Sequence, residues 1–139
     1  MKLVVDSSVF IAFFNDLDYY HSDATKFVNA VLKYEKLLII LPAIVFLEVA
    51  HVLYKQLESF DESTIFYLFE KYEKVDIDYY LASKILPFLK SVNLKTSDAI
   101  IASIAKLTGS VLVTWDKKLQ EEAQKLVETL TPEEFMGKF

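Results

Sequence analysis

Short apolar runs that do not alternate with polar residues constrain the fold of this chain more than any other feature of its sequence. Three such runs cover residues 3–5, 37–41 and 111–114. Strands of a parallel sheet that is covered on both faces have this continuous apolar character. Residues 75–76 and 127–130 are weaker strand candidates. The pattern therefore favours a parallel sheet with both of its faces buried.

Helical patterns fill the segments between the apolar runs. Pro42 suits a first helical turn, Pro87 strains a helix, Gly109 ends one, and Asp61 is the expected cap of another. The predicted helices cover residues 20–35, 43–58, 65–72, 78–92, 97–109 and 117–125. Helices that alternate with strands predict an α/β fold, a three-layer domain in which a central parallel sheet is flanked by helices.

The composition is that of one ordinary globular domain. The chain has 139 residues, the usual size of a single domain, and 53% of them are hydrophobic. The absence of cysteine excludes disulfides, zinc–thiolate sites and iron–sulfur clusters. No uncharged apolar stretch is long enough to span a bilayer, and Met1-Lys2 leads directly into the first apolar run without a signal peptide. We therefore expect one domain over residues 1–139, cytoplasmic and with no membrane partner.

The charge balance limits how the chain could meet nucleic acid. Its 15 basic residues are all lysine, its acidic residues number 20, and the formal net charge is −5. Proteins that hold nucleic acid by neutralising phosphates are usually basic and often use arginine. Any contact with RNA or DNA therefore needs another source of positive charge, such as a bound divalent cation. The alternative is that the net acidity only keeps the protein in solution.

Two candidate acids directly follow apolar runs. Asp6 ends the first run, and Asp116 lies just beyond the run at residues 111–114. In open parallel sheets, ligands bind beyond the carboxyl ends of the strands, at the point where the strand order reverses. If the first strand lies between the second strand and the strand at 111–114, the two carboxylates meet at that point. The alternative is that each acid only caps the helix after it, which Ser7 or Ser8 would do as well as Asp6.

Two further candidate acids lie on predicted helices. Glu48 belongs to a helix that is apolar on almost every side, where a charged group is costly to bury unless it is paired or bound to a metal. Asp98 lies at the start of a predicted helix, and the helix face that carries it is apolar over the following turns. The carboxylate of Asp98 is therefore expected on the buried side of this helix. The alternatives are that Glu48 lies at the helix edge, paired with a lysine or with His51, and that Asp98 only complements the helix dipole.

Together, the four acids indicate a site for a divalent metal ion. Carboxylates without a basic partner repel one another, and Mg²⁺ or Mn²⁺ between them relieves that repulsion. Such an ion orients a water molecule, lowers its pKa and stabilises charge that develops on a phosphodiester. The ion would also attract phosphate to an acidic protein. The candidate metal-binding and catalytic residues are Asp6, Glu48, Asp98 and Asp116.

These acids, in their order and spacing, resemble the PIN domain family, and most of all the VapC-type toxin ribonucleases of prokaryotic toxin–antitoxin pairs. The resemblance covers nearly the whole chain, and the segments that carry it are Val4-Val5-Asp6-Ser7-Ser8-Val9, Phe46-Leu47-Glu48-Val49, Thr96-Ser97-Asp98-Ala99 and Thr114-Trp115-Asp116. It implies a PIN-like parallel sheet of about five strands, Mg²⁺ or Mn²⁺ at the four acids, and supporting roles for Ser8 and Thr114. It further implies cleavage of single-stranded RNA, a homodimer, and inhibition by a small antitoxin protein that inserts a segment near the site.

The sequence therefore predicts a metal-dependent endoribonuclease. Asp6 and Asp98 are expected to bind the ion most directly, and Glu48 and Asp116 to complete the site or to bind through water. A second hypothesis is a catalytically idle module of the same fold that binds RNA or protein. A third is a phosphatase with Asp6 as its nucleophile, although such enzymes usually carry a second Asp where this chain has Ser8.

Aromatic and basic residues also stand near the candidate site. Tyr19-Tyr20-His21 is expected to be an exposed cluster, for which contact with a substrate base is one hypothesis. The aromatic residues within 66–72 have helical spacing, which is more typical of a core or an oligomer surface than of base stacking. Lys95, Lys117 and Lys118 stand beside two of the acids and are candidates for guiding phosphate, or are simply solvated.

Overall fold

The computed structural model describes residues 1–138. Within them the strands are β1 (Lys2–Val5), β2 (Leu38–Pro42), β3 (Glu73–Val75), β4 (Val111–Val113) and β5 (Thr129–Leu130). The helices are α1 (Ser7–Phe14), α2 (His21–Lys33), α3 (Ala43–Gln56), α4 (Ser63–Phe69), α5 (Tyr79–Ile85), α6 (Thr96–Thr108), α7 (Lys117–Ala123) and α8 (Pro132–Gly137). A 3₁₀ helix, Leu86–Lys90, follows α5 directly.

The strands form one parallel sheet of five strands in the order β3-β2-β1-β4-β5. The central strand β1 pairs with β2 on one side, where Val4 is opposite Ile40, and with β4 on the other, where Val4 is opposite Leu112. The strand order therefore reverses at β1, which is the arrangement that the meeting of Asp6 and Asp116 requires. This topology brings the carboxyl ends of β1 and β4 next to each other.

The core lies on both faces of this sheet, which explains why the central strands carry no polar alternation. Leu3, Val4 and Val5 of β1 are fully buried. On one side of the core, Phe10 of α1 meets Phe69 of α4 edge to face, with the ring centroids 4.9 Å apart. The parallel α/β fold expected from the apolar runs and the intervening helices is thus confirmed.

The region between β3 and α6 differs from the single helix predicted over residues 78–92. Asp78 caps α5 by accepting a hydrogen bond from the amide of Leu81 at 2.8 Å, but α5 ends at Ile85. The chain then tightens into the 3₁₀ helix, because Pro87 has no amide hydrogen to continue the α-helical pattern. The prediction of a strained turn at Pro87 was right, and the prediction of one continuous helix was wrong.

Three further helices depart from the sequence pattern. Helix α4 covers Ser63–Phe69 and not the predicted residues 65–72. Asp61 lies one residue before its N-cap, where Oδ1 accepts a hydrogen bond from the amide of Ser63. Helix α1 was not among the predicted helices, because its residues are apolar on nearly every side and show no helical period. Helix α8 is six residues long and begins with a capping box between Thr131 and Glu134.

In the part of the chain that the structure describes, no helix combines the length and the apolar character that crossing a bilayer requires.

Candidate functional site

Asp6 lies at the carboxyl end of β1 and is buried, with 5% of its surface exposed. Its side chain makes no capping hydrogen bond to α1, the role that the alternative interpretation gave it. Instead, Oδ2 accepts one hydrogen bond from the hydroxyl of Ser8 at 2.8 Å and another from the hydroxyl of Thr114 at 2.9 Å. The Asp6 amide donates to the carbonyl oxygen of Val113 at 2.9 Å. Asp6 is therefore held between the ends of β1 and β4.

Thr114 links Asp6 to Asp116. The same hydroxyl oxygen that donates to Asp6 accepts a hydrogen bond from the amide of Asp116 at 3.0 Å. Asp116 is exposed, and its Oδ1 accepts from the amide of Leu119 at 3.0 Å, so it does cap α7. The capping interpretation is thus observed for Asp116 but not for Asp6. A capping role occupies one carboxylate oxygen and does not exclude a second role for the other.

Glu48 lies on α3 and is only partly exposed. Burial raises the pKa of its carboxyl group, and repulsion from Asp6 raises it further, while Lys95 and the nearby hydroxyls of Ser97 and Ser7 lower it. Its Oε1 atom is buried and has no hydrogen-bond partner in the described chain. A buried carboxylate oxygen without a partner is costly, and this one points to a ligand that the protein alone does not supply.

The alternative interpretation paired Glu48, at the edge of the helix, with a lysine or with His51, and the structure does not show the pair with His51. His51 is exposed, and no hydrogen bond or ion pair joins it to Glu48 within residues 1–138. The nearest positive influence on Glu48 instead comes from Lys95, which precedes α6.

Asp98 lies in the first turn of α6 and connects the other three acids electrostatically. Only 13% of its side chain is exposed, and Lys95 Nζ lies 4.0 Å from Oδ2. The pKa of Asp98 is raised to about 6. Burial is the largest cause, and repulsion from Asp6 is the next. Lys95 lowers this pKa, whereas Asp116 and Glu48 raise it further. Four acids that are far apart in the sequence therefore influence one another at this end of the sheet.

The donor atoms fit a hard divalent cation in their chemistry, although they do not form a closed ligand set. Among residues 1–138 no three acidic or histidine side chains stand in positions to hold one metal ion together. The groups that converge are all carboxylates, two of them have raised pKa values, and one buried oxygen has no partner. Mg²⁺ and Mn²⁺ prefer oxygen ligands and would relieve this repulsion. The side chains would have to turn toward the ion to complete its coordination.

Sequence reasoning missed two polar groups beside these acids. The hydroxyl of Ser97 is close enough to Glu48 to lower its pKa, and the side-chain amide of Gln120 donates to the carbonyl oxygen of Thr114 at 2.8 Å. The place of Ser97 directly before Asp98 was the signal that could have found it. Nothing in the sequence singles out Gln120, because its role depends on how α7 turns back toward β4.

A wide apolar groove lies elsewhere in the described chain. It has a volume of about 670 Å³ and runs between α3, α4 and β3, where it is lined mainly by apolar residues such as Phe46, Phe66 and Tyr67. None of the four acids lines it. The groove is therefore separate from the acidic site.

Comparison with known protein families decides what kind of domain this is. The model of the PIN domain family matches residues 3–125, which include all four acids. The chain belongs to the PIN domain family. No curated protein matched the sequence.

Solved structures similar to this PIN domain include toxins of toxin–antitoxin pairs. VapBC2 from Rickettsia felis, solved with a promoter DNA fragment, is similar with a TM-score of 0.70 and 16% identity, over 94% of this chain and 98% of that one. A toxin–antitoxin complex from Klebsiella pneumoniae has a TM-score of 0.68 and 21% identity, over 94% and 97% of the two chains. VapC20 from Mycobacterium tuberculosis, described as a toxin that cleaves the sarcin–ricin loop, has a TM-score of 0.67 and 13% identity, over 86% and 93%. At these identities the likeness shows a shared PIN fold.

Proposed function

We propose that this PIN domain is a metal-dependent endoribonuclease that cleaves single-stranded RNA and that it is the toxin of a toxin–antitoxin pair. The observation that carries the proposal is the surroundings of Asp98, whose carboxyl group is largely buried and is repelled by Asp6, Asp116 and Glu48. Such a cluster costs stability when it is empty, and a divalent cation removes that cost. Membership of the PIN family and the likeness in fold to VapC20 support the choice of RNA as the substrate.

We assign the ion, Mg²⁺ or Mn²⁺, to Asp6 and Asp98 as the most direct ligands, with Glu48 and Asp116 as further ligands or as partners through water. When bound, such an ion lowers the pKa of a water molecule and offsets charge on a phosphodiester. The partnerless Oε1 of Glu48 supports its inclusion, since it is the one carboxylate oxygen of the four acids that is buried without a hydrogen bond.

The residues around the acids hold the site in shape. Ser8 and Thr114 both donate to Oδ2 of Asp6, which fixes the orientation of the carboxylate and leaves Oδ1 for another partner. Lys95 keeps a positive charge beside Asp98 and Glu48, where it lowers both pKa values and favours their ionised forms. An ionised cluster is the form that binds a cation.

A protein partner forms part of the proposal. The Rickettsia felis structure is of VapBC2, and the Klebsiella pneumoniae structure is a toxin–antitoxin complex. We infer that this chain also binds a small antitoxin and forms a homodimer. Exposed apolar side chains on α3 and α4, among them Leu47, Phe66 and Tyr67, support association with another protein surface. Light scattering of the purified protein measures the oligomeric state directly.

The experiment that tests the proposed activity combines cleavage with metal binding. The purified protein is mixed with a fluorogenic single-stranded RNA in Mn²⁺ or in EDTA, and Mn²⁺ binding is measured by calorimetry. The protein should cleave in Mn²⁺ only, and Asp98→Asn should lose both cleavage and the heat of binding. Asp23→Asn is the matched control, since Asp23 lies in the first turn of α2 as Asp98 does in α6.

The same experiment separates the nuclease from the catalytically idle module. An idle module would give no binding heat in the parent protein and no cleavage in either buffer. If Asp98→Asn binds Mn²⁺ and cleaves as the parent does, the assignment of the four acids to the site is wrong.

A further inference from the structure

Three aromatic rings form a continuous row of contacts beside the acidic site. Trp115 and Tyr20 stack face to face, with ring centroids 4.4 Å apart and an angle of 16° between the rings. Tyr19 meets Tyr20 edge to face, with centroids 5.0 Å apart and an angle of 88°. We call Tyr19, Tyr20 and Trp115 the aromatic ladder. In sequence, Trp115 lies between Thr114, which bonds to Asp6, and Asp116.

Hydrogen bonds hold Trp115 at one end of the ladder and the backbone of Tyr20 at its centre. The indole Nε1 of Trp115 donates to the carboxylate of Glu133, at 3.0 Å from Oε1 and 2.9 Å from Oε2. The amide of Tyr20 donates to Oδ1 of Asp18 at 2.9 Å, which orders the loop before α2. The two stacked rings, Tyr20 and Trp115, are thus positioned before a ligand arrives, which reduces the conformational entropy lost on binding.

A structural role accounts for two of the three rings but not for the third. The stack of Tyr20 on Trp115 holds the start of α2 against the loop after β4. This packing role explains the presence of both rings. Tyr19 adds little to that packing, since it is 91% exposed and meets Tyr20 at the ring edge. A large aromatic side chain exposed to this degree, next to a site of raised carboxyl pKa values, is a candidate contact for a ligand.

We propose that the aromatic ladder is a stacking platform for an unpaired base of the RNA strand whose phosphate lies at the four acids. This inference rests on the proposed function and adds a contact that selects single-stranded over paired RNA. Bases stack on aromatic side chains through their uncharged faces, so the net charge of −5 does not oppose the contact. Stacking of this kind tolerates different bases, and it requires a base that is free of a helix.

Steady-state kinetics with a single-stranded RNA substrate in Mn²⁺ tests the platform. Tyr19→Leu should raise KM by at least about fivefold, the lower end of what one base–aromatic stack contributes, with kcat close to that of the parent. Leucine keeps the apolar bulk and removes the flat ring. Tyr79→Leu is the matched control, because Tyr79 on α5 is 93% exposed and lies outside the ladder; its KM should equal that of the parent.

The fluorescence of Trp115 gives a second readout that does not depend on cleavage. Trp115 is the only tryptophan of the chain, so its emission reports on the ladder alone. In the Asp6→Asn protein, an octamer of riboadenylate should change this emission, and an octamer of the same backbone without bases should not. Tyr19→Leu in that protein should require at least about fivefold more riboadenylate for the same change.

The outcomes distinguish this inference from the proposed function. Cleavage by the parent with an unchanged KM in Tyr19→Leu overturns the platform and leaves the nuclease standing, with the ladder then assigned to a protein contact. No cleavage by the parent, together with an emission change that requires bases, overturns the nuclease and retains the platform. Equal emission changes with the riboadenylate and the base-free octamer also overturn the platform.

Discussion

The hydroxyl of Thr114 donates to Oδ2 of Asp6 at 2.9 Å, across 108 residues of sequence. The same oxygen accepts from the amide of Asp116 at 3.0 Å, so one side chain orients one candidate ligand and the backbone of another. Thr114 is fully buried, which shields both hydrogen bonds from water. The proposed site thus depends on a residue that would itself touch neither metal nor RNA.

Thr114→Val should weaken both the fold and the ion site. The variant keeps the shape of the side chain but leaves Asp6 with one donor fewer and the Asp116 amide without its acceptor. We expect the free energy of unfolding to fall by about 1 to 3 kcal/mol and Mn²⁺ affinity to fall by about tenfold or more. Urea denaturation and calorimetry measure the two effects.

Thr129→Val provides the matched control for that change. Thr129 is a buried threonine on the neighbouring strand β5, and its hydroxyl donates to the carbonyl oxygen of Val127 rather than to the acidic site. Its Mn²⁺ affinity should equal that of the parent. Equal losses of Mn²⁺ affinity in the two variants would contradict the role given to Thr114.

Asp6→Asn should separate activity from stability. The amide oxygen can still accept from Ser8 and Thr114, but the charge that raises the pKa values of Glu48 and Asp98 is gone. We expect RNA cleavage to fall by at least about 100-fold. The free energy of unfolding in EDTA at pH 7 should stay level or increase, because one source of repulsion is removed. A variant that cleaves RNA at the parental rate would refute the assignment of Asp6.

The stability of the metal-free protein should depend on pH through Asp98. Its pKa rises from an ordinary value of 3.8 to about 6 on folding, mainly because of burial and then because of Asp6. Between these values the unfolded carboxyl group is ionised and the folded one holds its proton, so the folded state binds more protons. The stability is therefore greatest at the low end of this window and declines as the pH rises through about 6.

Urea denaturation in EDTA across that window checks the direction. The parent should lose stability from pH 4.5 to pH 7, whereas Asp98→Asn should lose less of it, since the asparagine does not titrate. The advantage of the variant over the parent should grow as the pH rises. Parallel curves for the two proteins would show that Asp98 does not titrate in this range.

Gly109→Ala should reduce stability without touching the site. Gly109 ends α6 in the left-handed region, with φ at 66°, and no atom lies within 4 Å of the position of an added Cβ. The cost is therefore backbone strain alone, about 1 to 2 kcal/mol. Gly137→Ala is the control, since that glycine has no positive φ and equally open surroundings. Thermal denaturation measures both, and RNA cleavage should be the same in all three proteins.

The fold could be predicted because its main signals are local. The apolar residues of β1, β2 and β4 lack polar alternation, and a run of this kind indicates a strand that is buried on both sides wherever it occurs. The general rule for open parallel sheets allowed β1 to lie beside a later strand, and the structure shows that β4 is that strand. Helix α1 was given no bounds from the sequence, because a helix that is apolar on nearly every side has no hydrophobic period to detect.

The site was harder to predict because its chemistry depends on contacts between distant segments. An aspartate before a helix is a common cap, so the sequence allowed a helix cap at both Asp6 and Asp116. In the folded chain the capping hydrogen bond forms at Asp116 and not at Asp6. The partnerless oxygen of Glu48 is likewise a property of the folded chain. The sequence identifies candidate carboxylates, but burial and hydrogen bonding in the folded chain determine which of their oxygen atoms are left to bind a metal ion.

The placing of β1 at the centre of the sheet has a consequence for synthesis on the ribosome. Strand β1 is synthesised before β4, which follows it by more than a hundred residues, so Asp6 gains its hydrogen bond from Thr114 only after β4 has been made. A nascent or prematurely terminated chain that stops short of that point holds at most three of the four acids and no completed sheet. On the proposed function, the chain therefore gains nuclease activity only after β4 and Asp116 have been synthesised and have joined the sheet.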